Sequence, residues 1–312
     1  MPWLRNSETI LPVSRQNSGL DSPVRAHPTH HLLSTSADAS PPHEIVLILS
    51  GLNFQPEAMD SLAELLTGER TTAVIGFPNG YFSGLGDEGC QDPQEWLRQL
   101  DQTMAELQKK YPGALISLLG FSLGALLGLA WCLEGETNRP SQELSSRGWH
   151  RAVLIAPAFC PRGCNSALLG GLLNSLPGGW QFPALTPKGY RMKKHTPLAA
   201  YRSVLRLARS FQEKLNAMPT EELDERLPPQ FLAYTPRDEL VSSRYLRAYG
   251  HQYRDKVHLH RLNHWAYPSR AHHLATDPDV LGAREWDRLA QALATWTETT
   301  NMTKTSHSGA AL

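Results

Sequence analysis

An apolar stretch with a serine near its centre constrains the fold more than any other feature of this chain. It reads "LISLLGFSLGALLGLAWCL" over residues 115–133, and positions 114–133 carry no charge. An uncharged run of this length can span a bilayer, and Gly120, Gly124 and Gly128 form a ladder of small residues typical of packed membrane helices. The alternative is a buried strand that ends at Gly120 and is followed by a buried helix, with the serine at the turn between them.

The pentapeptide "GFSLG" favours the second interpretation. It matches the pattern G-x-S-x-G, in which a serine stands on a sharp strand-to-helix turn and the flanking glycines remove side chains that would collide there. The helix that follows directs its positive end at the site, and the N–H of Leu123 faces the position where negative charge develops on a substrate carbonyl. We therefore predict that Ser122 is a nucleophile and that the stretch forms no stable membrane span.

The flanking sequence alternates between short apolar runs and longer helical patterns, which is typical of parallel β-α-β units. The alternation predicts strands over 44–50, 71–77, 114–120, 151–158, 229–235 and 256–262, a helix that begins at Asp92 and stops at Pro112, and helices over 242–251 and 283–298. Between about 160 and 228 the alternation breaks, with one amphipathic run, "YRSVLRLARSFQEKLNAM", and no clear strand. We expect an α/β fold with a mostly parallel central sheet, helices on both faces and an inserted segment at 160–228.

Composition limits the class of protein further. Residues 1–43 and 299–312 are rich in polar residues and are expected to form a flexible leader and a flexible tail around a domain at 44–298. The chain has 30 basic and 30 acidic residues, so no excess of positive charge favours nucleic acid as a partner. Four irregularly spaced cysteines and the absence of a secretory signal in this sequence predict a cytoplasmic location. The oligomeric state stays open.

A serine nucleophile needs a histidine that takes its proton and a carboxylate that orients the histidine. The expected order is serine, acid, histidine, at the carboxyl ends of successive strands. Asp238 in "PRDELV" follows the strand "PQFLAYT" and is the predicted acid, with its neighbour Glu239 as the weaker candidate. No acid directly follows the strand "RAVLIAPA".

The histidine of the predicted triad has several candidates. After the last strand the chain offers His264, His272 and His273, and we favour His273, then His272, then His264. His258 and His260 lie inside that strand, where we expect them to be exposed positions. A second oxyanion donor should come from the loop after the first strand, where Gly51 permits a close turn and the N–H of Leu52, or of Asn53, can face the site.

With these residues the chain resembles the α/β-hydrolase superfamily, and within it bacterial carboxylesterases and monoacylglycerol-lipase or lysophospholipase-like enzymes. The resemblance covers 44–298 and rests on "LSGLN", "GFSLG", "PRDELV" and "HHLATD" in order. It implies that Ser122 is the nucleophile, Asp238 the acid and His273 the base. The chain departs from the family in having Ser50-Gly51 where the family usually has His-Gly, and in doubling the histidine.

The resemblance also implies that the inserted segment is a cap over the serine. Its leucines, which include Leu168, Leu169, Leu172 and Leu173, would then line a pocket for a medium acyl chain or form part of a small helical core. The sequence thus predicts a serine hydrolase of small-molecule carboxylic esters, with Leu52 and Leu123 as oxyanion donors and no metal or organic cofactor. The alternatives are a catalytically silent binding scaffold and an acyltransferase with the same acyl-enzyme.

Overall fold

The computed structural model describes residues 42–66, 72–76, 92–134, 148–162, 175–177, 180–263 and 272–308. Within these ranges, six parallel strands form the central sheet in the order β2-β1-β3-β4-β7-β8. These strands are β1 (Glu44–Leu49), β2 (Thr72–Gly76), β3 (Leu115–Phe121), β4 (Ala152–Ile155), β7 (Gln230–Tyr234) and β8 (Val257–Arg261). Each coincides with a strand predicted from the alternation.

Helices join and cover these strands. A short helical segment at Pro56–Met59 and α1 (Asp60–Glu64) follow β1, α2 (Pro93–Lys110) precedes β3, and α3 (Leu123–Cys132) follows it. Later helices are α6 (Ser243–Gln252), α7 (Pro278–Leu281) and α8 (Ala283–Ser308). Asp92 caps α2 by accepting the N–H of Gln94, and Ser242 caps α6 in the same manner.

The sheet is buried on both faces. Ile45, Leu47 and Leu49 of β1 pack into one apolar layer with α2 and α3, whereas Val46 and Ile48 pack into the layer on the other face. Side chains alternate between the two faces of a strand, so a strand covered on both sides must be apolar at nearly every position. This requirement explains the continuous run "EIVLIL".

The apolar stretch is divided between β3 and α3, which are almost entirely buried. Every residue of α3 is buried because one side packs on the sheet and another on α2 and on the inserted segment. Within the described ranges, no helix combines the length and apolar character that crossing a membrane requires.

The inserted segment lies between β4 and β7. It contains an antiparallel hairpin, β5 (Gln181–Pro183) with β6 (His195–Pro197), followed by α4 (Leu198–Ala217) and α5 (Thr220–Arg226). The sequence predicted the amphipathic helix but no strand here. The hairpin was missed because each strand has only three residues and two of the six are proline. Leu168, Leu169, Leu172 and Leu173 lie outside the described residues.

The final helix is longer than predicted. It continues to Ser308, so the flexible tail expected from residue 299 is helical over the part that the structure describes. The hydroxyls of Thr299 and Thr300 donate to the carbonyls of Thr295 and Trp296, which lets these threonines remain inside the helix. Residues 1–41 of the expected leader lie outside the described ranges.

One prediction about the last strand was wrong. His258 is exposed as expected, but His260 is partly buried and its ring stacks on Phe231 at 5.5 Å between centroids. Burial lowers the pKa of His260 to about 4, and the positive charges of Arg288 and His258 act in the same direction. The final helix covers this face of the edge strand, and this tertiary contact could not be read from the strand pattern.

Candidate active site

Ser122 occupies the sharp turn between β3 and α3. Its backbone angles are φ 52° and ψ −111°, outside the regions that residues other than glycine normally adopt. Hydrogen bonds hold the turn from both sides: the N–H of Ser122 donates to the carbonyl of Ile155 at 2.9 Å, and its carbonyl accepts the N–H of Ala158 at 3.0 Å. The fold therefore maintains a strained turn that presents the serine at the carboxyl end of the sheet.

The glycines of the pentapeptide are sterically required. A Cβ atom on Gly120 would lie 2.5 Å from the Cα of Ala125. A Cβ atom on Gly124 would overlap the carbonyl oxygen of Leu49, so α3 can approach β1 only because this position has no side chain. Both contacts are with backbone atoms, which cannot move aside as a flexible side chain could.

Ser122, His273 and Asp238 lie in one line of hydrogen-bonding groups. The Nε2 atom of His273 is 2.8 Å from the Oγ of Ser122, and its Nδ1 atom is 2.8 Å from the Oδ2 of Asp238. Asp238 is 1% exposed and His273 is 6% exposed, so bulk water has little access to their contact. When Nδ1 carries the ring proton and donates it to Asp238, Nε2 is free to accept the serine proton.

The loop after β7 fixes the carboxylate of Asp238. Its Oδ1 atom accepts the N–H groups of Leu240 and Val241 at 2.8 and 2.7 Å, which leaves Oδ2 for the histidine. The local turn therefore orients the carboxylate independently of His273. The structure places Asp238, the predicted acid, just past β7 and within hydrogen-bonding distance of His273.

The doubled histidine separates into two different environments. The ring of His273 packs against Phe121 at 5.2 Å between centroids and points to Ser122. His272 instead places its Nδ1 atom 3.8 Å from the Oε2 of Glu239. Glu239 also accepts the backbone N–H of His273 at 3.2 Å, so the weaker acid candidate contacts the loop and not the ring of the candidate base. His264 lies outside the described residues.

Two backbone segments face the candidate nucleophile. Leu123 is the first residue of α3, where the first N–H groups of a helix have no partner inside the helix. Leu52 lies in the loop after β1, and both leucines line the cavity beside Ser122 and His273. Gly51 permits this approach, because a Cβ atom there would lie 2.9 Å from the ring of Phe121.

A cavity of about 410 Å³ opens above Ser122, within the range typical of small-molecule sites. The inserted segment supplies much of its wall through mostly apolar side chains, among them Phe182, Leu185, Leu198, Tyr201, Val204 and Leu205. Burial raises the pKa of the Tyr201 phenol, while its hydrogen bond with Thr196 acts in the opposite direction. The hydroxyls of Tyr201 and Thr196 thus pair with each other within a mostly apolar wall.

The contacts that hold the loop after β1 were not predicted from the sequence. Asn53 has a left-handed backbone, φ 52°, and its side chain turns away from the serine toward the hairpin. Its Nδ2 atom donates to the carbonyl of Lys193 at 2.8 Å and to the Oγ1 of Thr196 at 3.0 Å, and its Oδ1 atom accepts the N–H of Lys193 at 2.8 Å. Asn53 thus fastens the inserted segment to the loop that carries Leu52.

The described residues hold no cluster of three or more histidine, cysteine, aspartate or glutamate side chains placed to bind a metal ion.

Comparison with known proteins relates the chain to others by structure alone. No family model matches it, and no curated protein matches it. A monoacylglycerol lipase from Paleococcus ferrophilus is similar with a TM-score of 0.58 and 15% identity, over 84% of this chain and 96% of that one. A soluble variant of monoglyceride lipase from Saccharomyces cerevisiae is similar with a TM-score of 0.55 and 10% identity, over 90% and 97%.

A third solved structure, described as one of two metagenome-derived lipolytic enzymes, has a TM-score of 0.55 and 14% identity, over 83% of this chain and 95% of that one. At such identities the likeness concerns architecture, and with the sheet order and the turn at Ser122 it establishes that the chain has the α/β-hydrolase fold.

Proposed function

We propose that this chain of α/β-hydrolase fold is a serine hydrolase that cleaves carboxylic esters through an acyl-enzyme on Ser122. One observation carries the proposal: the ring of His273 lies between the Ser122 hydroxyl and the Asp238 carboxylate, 2.8 Å from each. A nucleophile, its base and the group that orients the base are the parts that acyl transfer requires. Lipases and esterases of the same fold support the reaction class by analogy.

In the proposed mechanism, Nε2 of His273 takes the Ser122 proton as Oγ attacks the ester carbonyl. The negative oxygen of the tetrahedral intermediate is held by the N–H groups of Leu123 and Leu52. His273 then gives its proton to the departing alkoxide, which leaves as the alcohol. Water repeats the sequence on the acyl-enzyme: His273 removes a water proton, and the acid is released as Ser122 recovers its hydrogen.

Asp238 acts through His273. Its carboxylate holds the proton on Nδ1 and stabilises the imidazolium that forms during each attack. Two backbone N–H groups fix this carboxylate, so its orientation is present before a substrate binds. The mechanism uses only the side chains and backbone of this chain together with water.

The predicted substrate is a small ester with a medium acyl chain. The apolar lining of the 410 Å³ cavity supports this choice, because a hydrocarbon chain gains free energy when it leaves water for such a wall. A cytoplasmic location remains part of the proposal: Cys132 and Cys160 are buried and not joined in a disulfide, which is compatible with a reducing compartment.

The reaction is tested by hydrolysis of p-nitrophenyl acetate, butyrate and octanoate by the wild type, Ser122→Ala and Asp238→Asn. We expect kcat/KM to be higher for octanoate than for acetate and to fall by about 10⁴-fold in Asp238→Asn, as in other serine triads. Ser210→Ala, a change on α4, serves as the control. Activity that survives in Ser122→Ala would refute the proposed nucleophile, and acetate turned over far better than octanoate would refute the acyl-chain assignment.

A further inference from the structure

Charge is distributed very unevenly along this neutral chain. Residues 144–212 contain ten lysines and arginines and no aspartate or glutamate. That interval covers β4, the hairpin and the larger part of α4, whereas the five acidic residues of the inserted segment lie after it, between positions 213 and 225. A surface with one sign of charge attracts ligands of the opposite sign.

The hairpin also carries most of the exposed apolar side chains. Among the described residues, the large exposed hydrophobic ones are Leu115 in β3 and four residues of the hairpin: Trp180, Phe182, Leu185 and Met192. Trp180 is 51% exposed and Leu185 is 64% exposed. Most proteins expose single apolar side chains of this size, but a cluster of them is typical of a surface that binds another protein, a ligand or a membrane.

Backbone hydrogen bonds bring the apolar and basic residues of the hairpin together. The N–H of Ala184 donates to the carbonyl of Lys194 at 2.8 Å, and the N–H of Leu198 donates to that of Trp180 at 2.7 Å. The connecting loop carries Lys188 and Lys193, both exposed. We call Trp180, Phe182, Leu185, Met192, Lys188, Lys193 and Lys194 the hairpin patch.

The hairpin patch is continuous with the cavity above Ser122. Phe182 and Leu185 are exposed on the outside and also line the cavity wall. A molecule that meets the hairpin patch is therefore next to the opening through which an acyl chain would enter.

We infer that the hairpin patch docks the protein on an anionic phospholipid surface, so that the cavity takes ester substrates from that surface. The inference rests on the proposed ester hydrolysis for its substrate, and on the hairpin alone for the docking. Trp180 and its apolar neighbours enter the boundary between headgroups and acyl chains, while the lysines bind lipid phosphates. A nucleic acid would contact the lysines but leave the apolar side chains in water.

Binding is measured by co-sedimentation of the full chain with phosphatidylcholine vesicles, with and without about a third phosphatidylglycerol. The Ser122→Ala variant is used, so binding does not depend on hydrolysis. We expect it to sediment with the anionic vesicles, and to be released by high salt, because phosphate contacts are screened. In this background the double variant Lys188→Glu/Lys194→Glu should weaken partitioning into anionic vesicles by about thirtyfold, because each lysine contributes about fivefold.

Two matched controls isolate the hairpin patch. Lys109→Glu/Lys110→Glu on α2 changes the net charge equally, and should keep most of the binding. Trp180→Ser should lower binding to anionic vesicles, whereas Leu115→Ser, an exposed leucine elsewhere, should not.

The docking inference would be overturned if the protein bound neutral and anionic vesicles equally, or did not bind anionic vesicles. It would also be overturned if Lys109→Glu/Lys110→Glu lost as much binding as Lys188→Glu/Lys194→Glu. A wild type that binds anionic vesicles but does not hydrolyse esters would refute the proposed reaction and leave the docking inference intact.

Discussion

Asn53→Gly tests how much one side chain contributes to holding the inserted segment on the loop after β1. Glycine accepts the φ of 52° without strain, so the change removes mainly the three side-chain hydrogen bonds to Lys193 and Thr196. At about 1 kcal/mol net per bond, the free energy of unfolding should fall by about 3 kcal/mol. Thr196 is 1% exposed, so water cannot readily replace its lost donor.

Gln55→Ala is the matched control in the same loop. The Gln55 side chain makes one hydrogen bond to the same hairpin, from Nε2 to the carbonyl of Arg191 at 3.1 Å, so its removal should cost about 1 kcal/mol. Unfolding in urea, followed by circular dichroism, measures both variants. A loss in Asn53→Gly no larger than that in Gln55→Ala would refute the reasoning.

The same variant should also affect turnover. Leu52 adjoins Asn53, so a loosened loop would misplace one predicted oxyanion donor. A displacement of about 1 Å at a catalytic group costs up to about a hundredfold in rate, and we expect kcat for p-nitrophenyl butyrate to fall by about tenfold to a hundredfold. If the variant is measurably less stable but its kcat is unchanged, Leu52 does not depend on the Asn53 side chain for its position.

Two further predictions concern stability. Arg151→Met should lower the free energy of unfolding in urea by about 3 to 5 kcal/mol, because it leaves the Glu44 carboxylate buried without the guanidinium that contacts both of its oxygens. Adding Glu44→Gln should recover much of this loss. A double variant as unstable as the single one would contradict this account. The pKa of His260 is lowered to about 4 in the folded state, so between about pH 6.5 and pH 4 the unfolded chain binds more protons and stability falls as the pH falls. His260→Phe keeps a ring stacked on Phe231 but cannot be protonated. The urea midpoint of this variant should fall less than that of the wild type between pH 7 and pH 5. An identical fall in both proteins would show that another group is responsible.

Local sequence patterns were sufficient wherever structure depends on neighbours in the chain. The parallel sheet follows from strands such as β1 whose every side chain is buried, and Ser122 follows from a pentapeptide in which each glycine has a steric reason. The position of Asp238 near Ser122 could be predicted because parallel strands place their carboxyl ends at one edge of the sheet. These features require no knowledge of contacts between distant segments.

Contacts between distant segments could not be predicted in this way. The choice among the histidines depends on which ring reaches Ser122 across the fold, and no pattern separates His273 from His272. Asn53 bonds residues that lie 140 and 143 positions further along the chain, so the motif "LSGLN" could not show that its side chain holds the hairpin. The covered face of His260 was missed for the same reason, because the final helix packs against it, whereas the hairpin was missed because its strands are short and contain two prolines.

Intact-protein mass spectrometry after reaction with a fluorophosphonate probe tests the central claim most directly. The proposal predicts one adduct on the wild type, mapped to Ser122 by peptide analysis, absent in Ser122→Ala, strongly reduced in His273→Ala and retained in His272→Ala. An unmodified wild type, or labelling lost in His272→Ala but kept in His273→Ala, would contradict it.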